Sequence, residues 1–186
     1  MWTSVDSPVG PLKVVAHRGA VTAIEFDGPR QAGLSARSSA GVAAARTLGQ
    51  PVGDRDDTDL LLAEARRQLD AYFAKELKVF DLPLRPEGTE FQRKVWAQLV
   101  TIGWGRTATY GEIARRLGMT GHGSRAVGLA NGRNPISIVV PCHRVIGANG
   151  SLTGYGGGLD RKRTLLELER RTAGVPGAED SQLTLL

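Results

Sequence analysis

The chain has 186 residues, 41% of them hydrophobic, one cysteine, and a formal net charge of +5. That apolar content suffices for one large domain or two small ones, while a single thiol excludes an internal disulfide framework and any multi-cysteine zinc site. No apolar run approaches membrane-spanning length, and Met1 to Asp6 lacks a charged start followed by an apolar core, so a soluble, non-secreted, cytoplasmic protein is expected.

The charge is uneven. Residues 1–88 carry 11 Lys/Arg against 12 Asp/Glu, residues 89–172 carry 13 against 5, and residues 173–186 carry none against 2. A basic second half beside a near-neutral first half points to a polyanion partner for one part only, although a solvated basic surface has the same composition.

In chain order, residues 2 to 26 read as short strands. Leu12 to Ala16 and Val21 to Phe26 are β-rich runs, and Ser7-Pro8-Val9-Gly10-Pro11 punctuates them as a turn. His17 stands alone, as a strand-end surface residue. Residues 28 to 58 are rich in Gly, Ala, Ser, Arg and Asp with poor apolar periodicity, and are expected as a loose loop, either disordered or partly helical through Val42 to Ala45. Residues 59 to 77 form a helix with Leu62, Ala65, Leu69, Tyr72, Phe73 and Leu77 on one face. Two prolines and a glycine between Leu82 and Gly88 mark a linker, which divides the chain into domains 1–84 and 85–172, with a tail at 173–186.

Two capping boxes follow. Thr89-Glu90-Phe91-Gln92 opens a helix that buries Phe91, Val95, Trp96, Leu99 and Ile102, and Thr109-Tyr110-Gly111-Glu112 opens another through Leu117. A glycine-rich turn from Gly118 to Gly123 leads to a second short helix over Ser124 to Asn131. With Arg115, Arg116, Arg125 and Arg133 nearby, this is a helix-turn-helix pattern, though many helical hairpins bind nothing.

Ile136 to Val140 reads as a short buried strand ended by Pro141. Cys142 then sits at a strand end. A lone cysteine is more often a buried hydrophobe than a nucleophile, but here His143 supplies a base and Arg144 a cation that favours thiolate. Val145-Ile146 continues as a strand, Ala148 to Ser151 is a hairpin-type turn, and Gly154-Tyr155-Gly156-Gly157-Gly158 is a loop without the lysine of a phosphate-binding loop. Asp160 caps a last helix through about Arg171. Leu165, Leu166 and Leu168 define its apolar arc, and Glu169 falls in the middle of that arc. A buried carboxylate needs a partner. His143 is the candidate, with an arginine or a snorkelling glutamate the alternatives. Cys–His–Glu is a nucleophile–base–orienter set, and cysteine proteases use such sets too.

The motifs narrow the choice. Pro141-Cys142-His143-Arg144-Val145, preceded by Arg125-Ala126-Val127-Gly128 and Asn131-Gly132-Arg133-Asn134-Pro135 and followed by Gly154-Tyr155-Gly156-Gly157-Gly158, resembles the O6-alkylguanine-DNA alkyltransferases (methylated-DNA–protein-cysteine methyltransferases) over residues 85 to 172. The N-terminal half resembles the family's α/β domain more weakly. The resemblance implies a two-domain α/β fold: a small N-terminal sheet with a helix, and a mostly helical second domain holding a helix-turn-helix and a short active-site strand.

It also implies one-shot transfer of an alkyl group from guanine O6 in duplex DNA, with thymine O4 as an alternative donor, to Cys142, without a cofactor or a metal. His143 would activate the thiol through a water, with Glu169 orienting the imidazole. Tyr110 would help rotate the nucleotide and donate a hydrogen bond to the leaving guanine. Arg125 would fill the vacated stack in the minor groove, with Ala126, Asn131 and Arg133 at the DNA. Asn134 is the expected hinge, and Val145, Tyr155 and Gly156 would line the guanine pocket. The expected partner is double-stranded DNA carrying O6-alkylguanine, bound by a monomer with cooperative loading as an option. The chain departs from the family pattern in a segment between Tyr110 and Arg125 one residue longer than usual, and in Gly156 where some members have serine. A lesion-flagging binder, a helix-turn-helix regulator and a cysteine hydrolase are the competing classes, and the acceptor cysteine argues against the first.

Overall fold

A computed structural model describes residues 1–27 and 53–170. The expectations for most of 28–58, for Arg171 and for the tail lie outside the described residues. Three antiparallel strands, β1 (Trp2–Val5), β2 (Leu12–His17) and β3 (Ala20–Phe26), form a sheet in that order. His17 ends β2 opposite Ala20. Helix α1 (Leu60–Phe73) packs on the sheet through Leu62, Ala65, Leu69 and Tyr72. It stops four residues short of the expected end. Lys75 takes the left-handed φ of 67°, and the Glu76 and Lys75 N–H groups bond the Ala71 and Tyr72 carbonyls at 2.9 and 3.0 Å. This is a terminating motif usually built on glycine, and a lysine hides it.

The second half holds α2 (Glu90–Val100), β4 (Ala108–Thr109), α3 (Tyr110–Arg116), α4 (Gly123–Gly132), β5 (Val145–Ile146) and α5 (Leu159–Arg170). Both expected capping boxes form: Thr89 with Gln92, and Thr109 with Glu112. Each satisfies two of the N–H groups that a helix start leaves open. Helices α3 and α4 make the helix-turn-helix, and the turn between them holds Gly118 and Gly121 at φ of 70° and 62°. Gly123 is a point of close approach between the two helices. A Cβ there would lie 2.8 Å from Met119 Cβ and 3.1 Å from Ala114 Cβ.

The expected strand over 136–140 does not form. Asn134 is the reason. Its Oδ1 accepts the Ile136 N–H at 3.0 Å, and its Nδ2 donates to the Val140 carbonyl at 2.7 Å. The chain curls around that amide, with Val140 N–H on the Ile136 carbonyl at 3.0 Å and Ile138 at φ 73° in a three-residue turn. Cys142 therefore lies in a short 3₁₀ turn, Cys142–Arg144, rather than at a strand end. The short strand beside the site is β5, which pairs in parallel with β4 rather than across a hairpin, although the 147–151 turn does close.

The two halves share one apolar core. Ile24 of β3 donates to the Pro135 carbonyl at 2.9 Å and accepts from Ser137 N–H at 3.1 Å, so the edge of the N-terminal sheet holds the segment that leads to Cys142. Among the described residues, no helix is long and apolar enough to cross a membrane.

Candidate active site

Three buried side chains and one backbone N–H meet at one carboxylate. Glu169, from α5, is fully buried. Its Oε1 lies 2.8 Å from His143 Nε2, 2.8 Å from the donating Tyr72 hydroxyl, and 3.0 Å from Arg144 Nη2. Its Oε2 accepts from Arg144 Nε at 2.9 Å and from the Gly105 N–H at 3.3 Å. Arg144 also donates to the Ile102 carbonyl through Nη1. A bidentate guanidinium pins the carboxylate's orientation as well as its charge.

Burial pushes the Glu169 carboxyl up, but His143 and Arg144 outweigh it and hold the group well below the ordinary carboxylate range. Burial pushes His143 down, against the opposing pull of Glu169 and with help from Arg144 and Lys162. The charge therefore resides on the Glu169–Arg144 pair, and His143 is neutral near neutral pH. A neutral ring facing a carboxylate with Nε2 carries its proton there. That leaves the lone pair on Nδ1, which has no hydrogen-bond partner. Cys142, the only cysteine in the sequence, precedes this imidazole and is 4% exposed.

Arg144, read from the sequence as a cation for the thiolate, is instead engaged by Glu169. A second buried cation is Lys162, which sequence reasoning missed. Its Nζ donates to the Val145 and Thr153 carbonyls at 2.6 and 2.9 Å. Burial lowers its pKa to about 8, against the opposing influence of Cys142. The signal was available: Lys162, Leu165 and Glu169 are spaced three and four apart, on one helix face. Tyr72 was also missed as a polar group, because it reads as a core aromatic.

Tyr110 opens α3 and donates to the Thr153 carbonyl at 2.9 Å, the same oxygen Lys162 uses. Burial raises its pKa, and Cys142 adds to the rise. Val145 and Tyr155 are buried and Gly156 is exposed. The glycine loop is packed from the N-terminal half. A Cβ on Gly157 would lie 2.5 Å from the Phe26 ring, and Arg161 bridges the Val9 carbonyl at 2.7 Å and the Gly157 carbonyl at 3.1 Å.

On the outer face, Arg115, Arg116, Arg125, Arg133 and Leu129 are exposed, and Ala126 is partly so. Asn131, expected among the DNA contacts, faces inward instead. It is 1% exposed and its Nδ2 donates to the Cys142 carbonyl at 3.3 Å. Helical spacing puts it with Val127 and Ala130 on the buried side of α4.

A basic helix-turn-helix against a buried thiol–imidazole–carboxylate set is the architecture of a protein that does chemistry on nucleic acid. Two family descriptions match the chain: the 6-O-methylguanine DNA methyltransferase ribonuclease-like domain over residues 1–86 and the DNA binding domain of the same proteins over residues 90–171. Over 171 residues the chain is 48% identical to the methylated-DNA–protein-cysteine methyltransferase of Mycobacterium leprae, covering 90% of each. Its identity to the protein of the same name from Mycolicibacterium paratuberculosis is 67% over 109 residues, which are 59% of this chain and 66% of that one. The crystal structure of Mycobacterium tuberculosis O6-methylguanine methyltransferase superposes with a TM-score of 0.74 at 46% identity, covering 92% and 93% of the two chains. A crystal structure of the tuberculosis protein in complex with DNA matches with a TM-score of 0.74 at 45% identity, covering 91% and 92%. The chain belongs to the 6-O-methylguanine DNA methyltransferase family.

Proposed function

We propose that this chain repairs alkylated DNA by direct reversal, with Cys142 as the acceptor of the alkyl group from guanine O6. The observation that carries the assignment is the unpartnered Nδ1 of buried His143, beside the chain's one thiol and oriented through Nε2 by Glu169. The Cys142 proton passes, through one water, to Nδ1. The sulfur lone pair forms the S–CH₃ bond as the O6–CH₃ bond breaks, the electrons of that bond return to the guanine, and the guanine takes up one proton from water, which balances the proton Cys142 passed to His143. A thioether is a poor leaving group, so each molecule reacts once.

An O6-methyl group inside a duplex is out of reach, so the base must leave the stack. Arg125, exposed on α4, is the group we assign to the vacated space, in the minor groove. Tyr110 is assigned to the rotating nucleotide, and Val145, Tyr155 and Gly156 to the pocket. Asn134 is assigned as the hinge between α4 and the Cys142 turn, because its amide ties both ends of residues 136–140. Arg133 and Ala126 are assigned to the DNA face. We place the division between halves near residue 85 and the protein in the cytoplasm, acting as a monomer.

The test is mass spectrometry of the intact protein after mixing with duplex DNA carrying one O6-methylguanine. One methyl mass per chain, mapped to Cys142, is expected. No gain with tight binding retained would overturn the assignment in favour of a lesion-flagging binder.

A further inference from the structure

The alkyl-transfer half does not assemble its carboxylate alone. Tyr72 lies on α1, in the N-terminal half, 97 residues from the group it binds, and its hydroxyl reaches the same Glu169 oxygen that faces His143. The ring is fully buried among Phe73, Phe80 and Trp104, with centroids 5.1, 5.4 and 5.2 Å away. A phenylalanine would fill that aromatic box as well. The hydroxyl donates to the carboxylate at 2.8 Å. Trp104, which closes the box, is followed by Gly105, whose N–H takes the other carboxylate oxygen. Packing of the box and placement of Glu169 are thus one structure.

We propose that Tyr72 is a positioning residue for the transfer: its hydroxyl fixes Glu169 and limits how strongly that carboxylate holds a proton on His143. This rests on the reading of His143 as the base that takes the Cys142 proton. The groups that face the carboxylate are Tyr72 from α1, the Gly105 N–H from the 101–107 segment, and His143 and Arg144 from the 3₁₀ turn, while Lys162 from α5 acts electrostatically on His143. Tyr155 contributes a weaker electrostatic influence on Tyr72. Three donors share Oε1. Removing the phenol proton donor concentrates negative charge on that oxygen and favours the imidazolium. A base held as imidazolium cannot accept the thiol proton, so the acid limb of the rate moves to higher pH. A stronger phenol donor moves it the other way. Burial, with Glu169 adding to it, holds the phenol well above its ordinary pKa, so it stays a donor throughout.

The experiment measures single-turnover methyl transfer from duplex O6-methylguanine DNA against pH, across about pH 5 to 8 where histidine titrates. It uses the full chain, Tyr72→Phe, and the full chain with 3-fluorotyrosine at position 72. Tyr72→Phe should raise the midpoint of the acid limb by about half to one pH unit, the net size of one hydrogen bond, with DNA affinity unchanged. The fluorinated protein, whose phenol is the stronger acid, should lower it. Coincident limbs in all three would overturn the proposal, even with an altered melting temperature, since a packing role has no reason to move a titration. If Tyr72→Phe does not fold, the fluorinated protein decides alone. Absence of transfer by the unsubstituted chain would overturn the underlying reading of Cys142 instead.

Discussion

The molecule uses arginine in two opposite ways. Arg115, Arg116, Arg125 and Arg133 stand in solvent on α3 and α4 or just beyond, without a resolved carboxylate partner in the described ion pairs. Arg144 is 6% exposed and has three hydrogen bonds to fixed oxygens, two of them on Glu169. The exposed charges cost little to hold and act at a distance that salt screens. The buried one is costly to desolvate and acts through geometry, so its value lies in where it puts Glu169. The contrast separates binding from chemistry, and substitutions on the two sides should fail differently.

The largest effect belongs to the buried side. Cys142→Ser should abolish transfer while leaving duplex binding intact; a labelled-methyl assay beside a binding isotherm checks both, and retained transfer would refute the acceptor assignment. Next is Glu169→Gln, which leaves Arg144 buried without a counter-charge. It should cost about 3–5 kcal/mol of folding stability, read by denaturant unfolding, together with most of the transfer rate. The pH dependence gives the sign. Glu169 has a folded pKa below its ordinary value of 4.5, so its contribution is present above that value and fades as pH falls below it. The unsubstituted chain should therefore lose stability from about pH 4.5 downward, and Glu169→Gln should show a flatter acid limb.

Much of this contrast is legible before folding, because it rests on local chemistry. The capping boxes at Thr89 and Thr109, the arginines around α4 and the inward turn of Glu169 all follow from spacing of three or four residues. The clearest misreading comes from a side chain overriding the backbone pattern. Ile136 to Val140 has the composition of a strand, yet the Asn134 amide captures its N–H and carbonyl groups and curls it into a turn. Lys75 ends α1 where no glycine announces it. Tyr72 and Lys162 escaped notice because their roles depend on partners distant in the chain: Glu169 is 97 residues from Tyr72, and the Val145 carbonyl is 17 residues from Lys162. Periodicity reports which face is buried and is silent about what waits there.

On the exposed side the effects are smaller and selective. Arg125→Ala should slow repair in duplex DNA by on the order of tenfold or more, since base unstacking costs a few kcal/mol and a wedge offsets part of it. Reaction with free O6-benzylguanine, which needs no flipping, should change little. Equal losses in the two assays would remove Arg125 from the stack and leave it a phosphate contact.

The smallest effect is the sharpest test of the division. Arg133→Ala and Arg115→Ala should each lower duplex affinity modestly and reduce the slope of log affinity against log salt by about one contact's worth. Neither should change the single-turnover rate at saturating DNA, because neither touches the Glu169 cluster. The measurement is a binding titration at several salt concentrations beside a rate at saturation. A slope that does not move means the residue faces solvent away from the phosphates. A fall in the saturated rate of Arg133→Ala would mean that the C-terminal end of α4, which Arg133 follows, is coupled to Cys142, and the route is visible. Asn131, on the inner face of that same helix, holds the Cys142 carbonyl at 3.3 Å, so a helix pulled toward DNA would carry the Cys142 backbone with it.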